Sequence, residues 1–169
     1  RSPELFDLMT GQRTGVLARE PEIVERMISE SVRIKAEVVS ADEREGDLRR
    51  ILNFGHTYGH ALEAETGYSR FLHGEAVAFG MKAATHLAQM LGFLADAEGV
   101  RILDAIDAYG PIPPLKDIPA ANLVARLASD KKTVQGAVHF VLPERIGQVR
   151  IVSDADQKAV LAAARAALT

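Results

Sequence analysis

Four polar residues follow one another at spacings of four, three and four: Arg49, Asn53, His56 and His60. At these spacings residues share one face of an α-helix, and apolar residues that pack on a core usually occupy them. On a helix the four side chains fall within an arc of about 60°. Because burying such groups unpaired costs several kcal/mol, the stripe predicts a helix from about Leu48 to Thr66 whose polar face has a partner.

The two histidines of this stripe, together with a third that follows it, are candidate metal ligands. His56 and His60 lie one turn apart and could reach one ligand, although solvated or hydrogen-bonded side chains would explain such a pair equally well. His73 follows the helix break at Gly67 and can fold back against the stripe. The chain has no cysteine, so a transition-metal site must use His, Asp or Glu. His56, His73 and one carboxylate would give the three protein ligands of a catalytic zinc, leaving His60 for proton transfer.

Two nearby carboxylates are candidates for the remaining position in this cluster. Glu63 lies at the edge of the stripe and Glu75 lies just after His73. Each could bind a metal directly or orient a histidine that does, and the sequence does not decide between these roles. The other two histidines are expected to be structural. His86 lies on an Ala-rich helix, and His139 lies in a strand-like run from which its side chain should point outward.

Composition narrows the class of protein. The 169 residues include 47% hydrophobic and 25% charged residues with a net charge of −3, which is typical of one folded domain and argues against a disordered chain or a dedicated nucleic-acid binder. No apolar run approaches the roughly 18 residues of a membrane span. The amino terminus lacks the pattern of a signal peptide. It also lacks an initiator Met, so the chain is expected to be a fragment.

Periodicity predicts a mainly α-helical fold with one small β-hairpin. The predicted helices and strands are, in chain order, helices at Pro21–Val39, Leu48–Thr66, Gly74–Leu91, from Asp96 to near Gly110, at Ala120–Ser129 and from Asp154 to Leu168, and strands at Ala137–Leu142 and Gln148–Val152. Between helices, the charged run from Asp42 to Asp47 is expected to form a solvated loop. Lys131 and Lys132 have two possible roles. They could lie at a helix C-terminus, where their positive charges interact favourably with the helix dipole, or they could bind an anion such as phosphate.

Four blocks of sequence, in this order, resemble the 3-dehydroquinate synthase family: KAEVVSADEREGDLR from Lys35, RRILNFGHTYGHALE from Arg49, LHGEAVAFGM from Leu72 and DKKTVQGAVHFVLPERIG from Asp130. The resemblance extends from about Glu20 to Ile151 and is to the carboxy-terminal, helical domain of that family. It implies the dehydroquinate synthase-like fold, with all of residues 1–169 in one zinc- and substrate-binding domain.

The resemblance also implies a role for several residues. His56 and His73 match two of the family's three zinc ligands, and His60 and Glu45 match positions of proton transfer. Substrate-contacting positions of the family correspond to Lys35, Arg49, Asn53 and the pair Lys131 and Lys132, of which either lysine could make the contact. The implied reaction converts 3-deoxy-D-arabino-heptulosonate 7-phosphate to 3-dehydroquinate and phosphate in the shikimate pathway. The implied cofactors are NAD and Zn²⁺ or Co²⁺, in a cytoplasmic homodimer.

Two features of the family do not occur in this sequence. One is a Glu-bearing segment of the type GMAEVIKxG that supplies the third zinc ligand, and the other is the glycine-rich, Rossmann-like NAD-binding domain. The isolated chain is therefore expected to lack a complete active site. Other sugar-phosphate cyclases, such as 2-deoxy-scyllo-inosose synthase, and the iron-dependent alcohol and glycerol dehydrogenases remain alternatives, as does a non-catalytic helical module.

Overall fold

A computed structural model describes residues 1–43, 48–133, 137–153 and 155–169, with side chains omitted for residues 130–133. The described elements are α1 (Pro3–Gly11), α2 (Arg13–Ala18), α3 (Pro21–Ala41), a 3-10 helix (Leu48–Asn53), α4 (His56–Glu65), α5 (His73–Met90), α6 (Asp96–Asp107), α7 (Ala120–Thr133), β1 (His139–Arg145), β2 (Gln148–Ser153) and α8 (Gln157–Ala167). The predicted mainly helical fold with one hairpin is confirmed. In the described part of the chain no helix combines the length and apolar character that crossing a membrane requires.

Helix α5 lies at the centre of the packing. It contacts α4, α6, α8 and β1, and it buries Phe79 and Leu87 completely. From α4, Tyr58 and Leu62 pack into the same core. Alanines on α5 and α8 let the helices approach closely, because their side chains fill little of the space between the axes. The two helices that carry His56, His60 and His73 are therefore held by the most buried part of the fold.

The predicted single helix over residues 48–66 is wrong. The chain instead forms the 3-10 helix, breaks at Phe54 and Gly55, and starts again as α4. Gly55 has a φ of +84°, which a side chain disfavours, and a Cβ there would lie 2.6 Å from the carbonyl oxygen of Val77 on α5. Close packing against α5 therefore decides where the helix breaks, and Arg49 and Asn53 do not continue the helical face of His56 and His60.

The hairpin and the last helix follow the sequence closely. Strands β1 and β2 are antiparallel, with Phe140 opposite Val152, and Gly147 in the turn has a φ of +87°. The last helix was predicted from Asp154, which lies outside the described residues. It begins at Gln157, where the Asp156 side chain accepts a hydrogen bond of 2.9 Å from the backbone N–H of Ala159, as a helix N-cap does.

Helices α1 and α2 have no counterpart among the predicted elements. The signals for α1 are nevertheless local: Ser2 accepts a hydrogen bond of 3.0 Å from the N–H of Leu5, and Pro3 occupies the first turn. Both features are typical of a helix start.

Candidate metal and substrate site

Three imidazole rings converge at the start of α4 and the start of α5. The ring centroids of His56 and His60 lie 5.5 Å apart, those of His56 and His73 lie 5.4 Å apart, and those of His60 and His73 lie 5.9 Å apart. The predicted return of His73 toward the other two histidines is thus observed. We refer to these three residues as the histidine cluster.

The connection from α4 to α5 brings His73 to this position. After α4 the chain reverses through Gly67 and Tyr68, which both have positive φ angles, of 64° and 56°. The N–H of Tyr68 donates a hydrogen bond of 2.8 Å to the carbonyl oxygen of Glu63, and Phe71 is buried in the core. The connection is therefore anchored at both ends, so the position of His73 relative to α4 is fixed by packing.

The structure separates the two candidate carboxylates. Glu63 Oε1 lies 3.1 Å from His73 Nδ1, and its side chain is 11% exposed against 57% for that of His73. Glu75 instead turns toward the start of its own helix, where it accepts a hydrogen bond of 2.8 Å from the N–H of Leu72, as the acidic residue of a capping box does. Glu63 is therefore the carboxylate that faces the histidine cluster.

Burial favours the neutral form of the His56 ring. Its Nδ1 lies 3.3 Å from the carbonyl oxygen of Phe54. Burial is the largest influence on the pKa of His56 and lowers it, the hydrogen bond to the Phe54 carbonyl opposes this effect, and the nearby His60 and His73 lower the pKa further. A neutral imidazole whose Nδ1–H donates to the backbone presents Nε2 as a free lone pair, which is the form that binds a metal.

The cluster suits a transition-metal ion in its spacing and its donor atoms. Two imidazoles that bind one zinc through bonds of about 2.0–2.1 Å have their ring centroids about 5 Å apart at a tetrahedral angle, close to the observed separations. Donor atoms of His60, Glu63 and His73 also lie within 4.8 Å of one another. Imidazole and carboxylate are ligands that zinc and cobalt accept. Both His56 and His60 thus remain compatible with metal binding alongside His73.

A groove of about 500 Å³ opens beside the cluster, between α4 and α7. Residues that line it include Thr57, His60, Glu63, Tyr68 and Arg126. Arg126 donates a hydrogen bond of 2.9 Å to Glu65. Neither Tyr68 nor Arg126 is among the site residues that the sequence predicts. The glycine before Tyr68 indicates a chain reversal at that point, whereas nothing in the sequence sets Arg126 apart from other surface arginines.

Among the other predicted site residues, those whose side chains the structure describes do not line this groove. Arg49 is half-buried in the 3-10 helix, where its N–H donates a hydrogen bond of 2.9 Å to Asp42, and Asn53 is exposed at the end of that helix with its backbone carbonyl toward His56. Lys35 is exposed on α3, which contacts the 3-10 helix. Glu45 lies outside the described residues, as do the side chains of Lys131 and Lys132 on the last turn of α7.

The two histidines expected to be structural lie outside the cluster. His86 is half-buried on α5, and burial lowers its pKa. His139 is half-buried at the start of β1, and its Nδ1 lies 2.9 Å from the Ser153 hydroxyl of the paired strand. Its backbone carbonyl also accepts a hydrogen bond of 2.8 Å from Thr57, which ties the hairpin to α4.

Comparison with known proteins agrees with this architecture. Residues 1–133 match the family described as 3-dehydroquinate synthase C-terminal. The chain is 61% identical over 168 residues to a 3-dehydroquinate synthase of Solibacter usitatus, covering 99% of this chain and 47% of the relative. For a 3-dehydroquinate synthase of Koribacter versatilis the identity is 50% over 163 residues, covering 96% and 44%. The chain thus spans about half the length of the curated relatives it matches.

Solved structures give the same architecture. A 2-epi-5-epi-valiolone synthase from Streptomyces hygroscopicus, with NAD⁺ and Zn²⁺ bound, superimposes with a TM-score of 0.82 at 29% identity, covering 97% of this chain and 46% of that one. A 2-deoxy-scyllo-inosose synthase complexed with carbaglucose-6-phosphate, NAD⁺ and Co²⁺ gives a TM-score of 0.74 at 22% identity, covering 86% and 41%. At that lower identity the likeness shows the fold alone.

Proposed function

The chain belongs to the 3-dehydroquinate synthase C-terminal family, and from this premise we propose that it is the metal- and substrate-binding part of a 3-dehydroquinate synthase. The reaction would convert 3-deoxy-D-arabino-heptulosonate 7-phosphate to 3-dehydroquinate and phosphate, as a step of the shikimate pathway. The observation that carries this proposal is the convergence of three imidazole rings within 5.9 Å of one another beside an open groove.

His56 and His73 are the proposed ligands of Zn²⁺ or Co²⁺. The neutral state of His56, favoured by its burial, supports this role because a protonated imidazole cannot bind a metal. A bound ion would polarise neighbouring hydroxyls of the substrate so that hydride removal becomes easier. The fixed packing of α4 against α5 holds the two rings in place before any ligand arrives.

His60 is the proposed group for proton transfer. It is exposed and it lines the groove next to the cluster, so a substrate in the groove would be within its reach. An imidazole ring carries one nitrogen that can accept a proton and one that can donate it, which suits this role. Glu45 is proposed to share this role, on the family resemblance alone.

Cationic and amide side chains are proposed to hold the phosphorylated sugar acid. This set comprises Lys35, Arg49, Asn53, Lys131 and Lys132. Their chemistry suits a polyhydroxylated anion, because charged donors bind carboxylate and phosphate more strongly than neutral ones. The position of the lysine pair on α7 supports its assignment: Ser129, on the same helix, lines the groove.

A further part of the active site is proposed to come from a preceding NAD-binding domain. The relatives are about twice as long as this chain, and only two of the family's three zinc ligands have matches here. We propose that the longer protein binds NAD, acts as a cytoplasmic homodimer, and needs both halves for turnover. The isolated chain is therefore expected to be inactive.

Metal titration of the chain tests the site first. Co²⁺ or Zn²⁺ affinity should fall by more than about 100-fold in His56→Ala and His73→Ala, since losing even the partner of a ligand costs about 10- to 100-fold. His86→Ala, which lies on α5 outside the cluster, is the control. Unchanged affinity in the two cluster variants would refute the metal site and favour a non-catalytic helical module.

The reaction needs a second experiment, because another sugar-phosphate cyclase is the main competing function. That alternative is supported by the 2-epi-5-epi-valiolone synthase structure at 29% identity. The coding sequence upstream of Arg1 should specify a glycine-rich nucleotide-binding domain, and the protein expressed with it should be assayed on a panel of phosphorylated sugars. Preference for a substrate other than the heptulosonate phosphate would contradict the proposed reaction.

A further inference from the structure

A buried carboxylate faces an exposed ring in the histidine cluster. The Glu63 side chain is 11% exposed and that of His73 is 57% exposed. A carboxylate so far removed from water is costly unless it is hydrogen-bonded. Its polar contact among the described side chains is with His73, at 3.1 Å between Oε1 and Nδ1. The exposed ring is thus fixed from its buried side.

The same arrangement occurs at His56. There Nδ1 faces the carbonyl oxygen of Phe54 at 3.3 Å, just as Nδ1 of His73 faces Glu63. In both rings a protein oxygen, which can only accept a hydrogen bond, occupies the Nδ1 side, so this hydrogen bond forms in the tautomer that has its proton on Nδ1 and its lone pair on Nε2. The proposed ligand pair therefore shares one tautomer, although one acceptor is backbone and the other is a side chain.

We propose that Glu63 is a positioning residue, which accepts a hydrogen bond from His73 Nδ1–H and thereby holds His73 Nε2 ready for the metal. This inference rests on the proposed function, in which His73 is a ligand. It assigns Glu63 no bond to the ion. A carboxylate behind a metal-binding histidine fixes the ring and makes its free nitrogen a stronger donor.

Helix α4 supports this assignment through its geometry. Glu63 lies on its last full turn, and its own carbonyl oxygen accepts the hydrogen bond from Tyr68 that begins the chain reversal. One residue thus anchors the connection through its backbone and the His73 ring through its side chain. Glu75 cannot replace it, because its carboxylate is engaged at the N–H of Leu72.

Variants of Glu63 test the proposal through metal affinity and the spectrum of bound Co²⁺. Glu63→Gln keeps an oxygen that can accept the hydrogen bond but loses the charge, whereas Glu63→Ala loses both. Affinity should fall by about tenfold in the first and toward 100-fold in the second. The absorption bands of the bound Co²⁺ should keep their shape, because the ligand set is unchanged.

The matched control is Glu65→Gln, two residues further along α4. Its carboxylate accepts hydrogen bonds from Asn122 at 2.7 Å and Arg126 at 2.9 Å, so this variant removes a comparable charge without touching His73. Its Co²⁺ affinity should match the wild type. A fall as large as that of Glu63→Gln would show a general charge effect and overturn the proposal.

Nitrogen-15 NMR of the His73 ring in the metal-free wild-type chain supplies a test that needs no variant. The proton should lie on Nδ1, and finding it on Nε2 would overturn the proposal. So would unchanged Co²⁺ affinity in both Glu63 variants, or altered bands that indicate a lost ligand. Absence of Co²⁺ binding both in the wild-type chain and in the longer protein with the proposed NAD-binding domain would instead refute the proposed metal site.

Discussion

Gly80 of α5 packs directly against the carbonyl group of Gly55, at the break that precedes α4. A Cβ on Gly80 would overlap the Gly55 carbonyl oxygen and would lie 2.7 Å from the N–H nitrogen of Gly59. The same Gly55 carbonyl accepts a hydrogen bond of 2.9 Å from Gly59, in the first turn of α4. Three glycines thus set how closely the two histidine-bearing helices approach.

Gly80→Ala should separate α4 from α5. The obstructing atoms are backbone atoms that cannot rotate away, so we expect a loss of at least about 1–3 kcal/mol in the free energy of unfolding and weaker binding of Co²⁺. Chemical denaturation measures the first effect and metal titration the second.

Gly74→Ala on the same helix is the control. No atom lies within 4 Å of its added Cβ, so the substitution should be neutral or should stabilise by about 0.4–1 kcal/mol. Equal stability of the Gly80 and Gly74 variants would show that the close approach does not constrain the fold.

Tyr58→Phe should weaken the contact between α4 and α8. The Tyr58 hydroxyl is buried and donates a hydrogen bond of 3.1 Å to the carbonyl oxygen of Val160, and burial raises its pKa. Removing the hydroxyl leaves that carbonyl without this donor, which costs about 1–3 kcal/mol. Denaturant unfolding should show this loss, whereas Tyr68→Phe, at a residue that is 71% exposed, should change stability by less than about 0.5 kcal/mol.

The histidine cluster was predictable in part, because His56 and His60 are local neighbours and the glycine break before His73 is visible in the sequence. The break at Gly55 was not predicted. It arises from the contact with Gly80, 25 residues further along the chain, and no local spacing reports such a contact. The choice between Glu63 and Glu75 was also beyond the sequence, since both lie near His73 and only the folded connection shows which one turns away.

Protonation of His86 should reduce stability at mildly acidic pH. Burial lowers its pKa in the folded chain, with Lys82 acting in the same direction, so the unfolded chain binds the proton more readily. The stabilising contribution of the neutral ring is therefore complete above the unfolded pKa of about 6.5 and is lost as the pH falls toward the folded pKa.

The contribution of His86 is measured by comparing the unfolding free energies of the wild type and His86→Gln in the absence of metal. The comparison runs from about pH 8 to about pH 5. The wild type should lose more stability than the variant over that range. Parallel curves would show that His86 titrates alike in both states.

The roles of His60 and His73 should separate when metal binding and proton transfer are measured apart. Both rings belong to the cluster, and donor atoms of His60, Glu63 and His73 lie within 4.8 Å of one another, so proximity alone would allow His60 to be a ligand. His60 is nevertheless the ring that lines the groove, whereas Glu63 holds His73. We therefore expect His60→Ala to keep Co²⁺ affinity close to that of the wild type.

In the longer protein that includes the proposed NAD-binding domain, His60→Ala should lower turnover by about 10²–10⁴-fold, the usual contribution of a proton-transfer group. His73→Ala should lose both metal and turnover. Turnover falls in both variants, so metal content per chain is the measurement that distinguishes them. Loss of Co²⁺ from His60→Ala as complete as that from His73→Ala would make His60 a ligand and leave proton transfer to another residue.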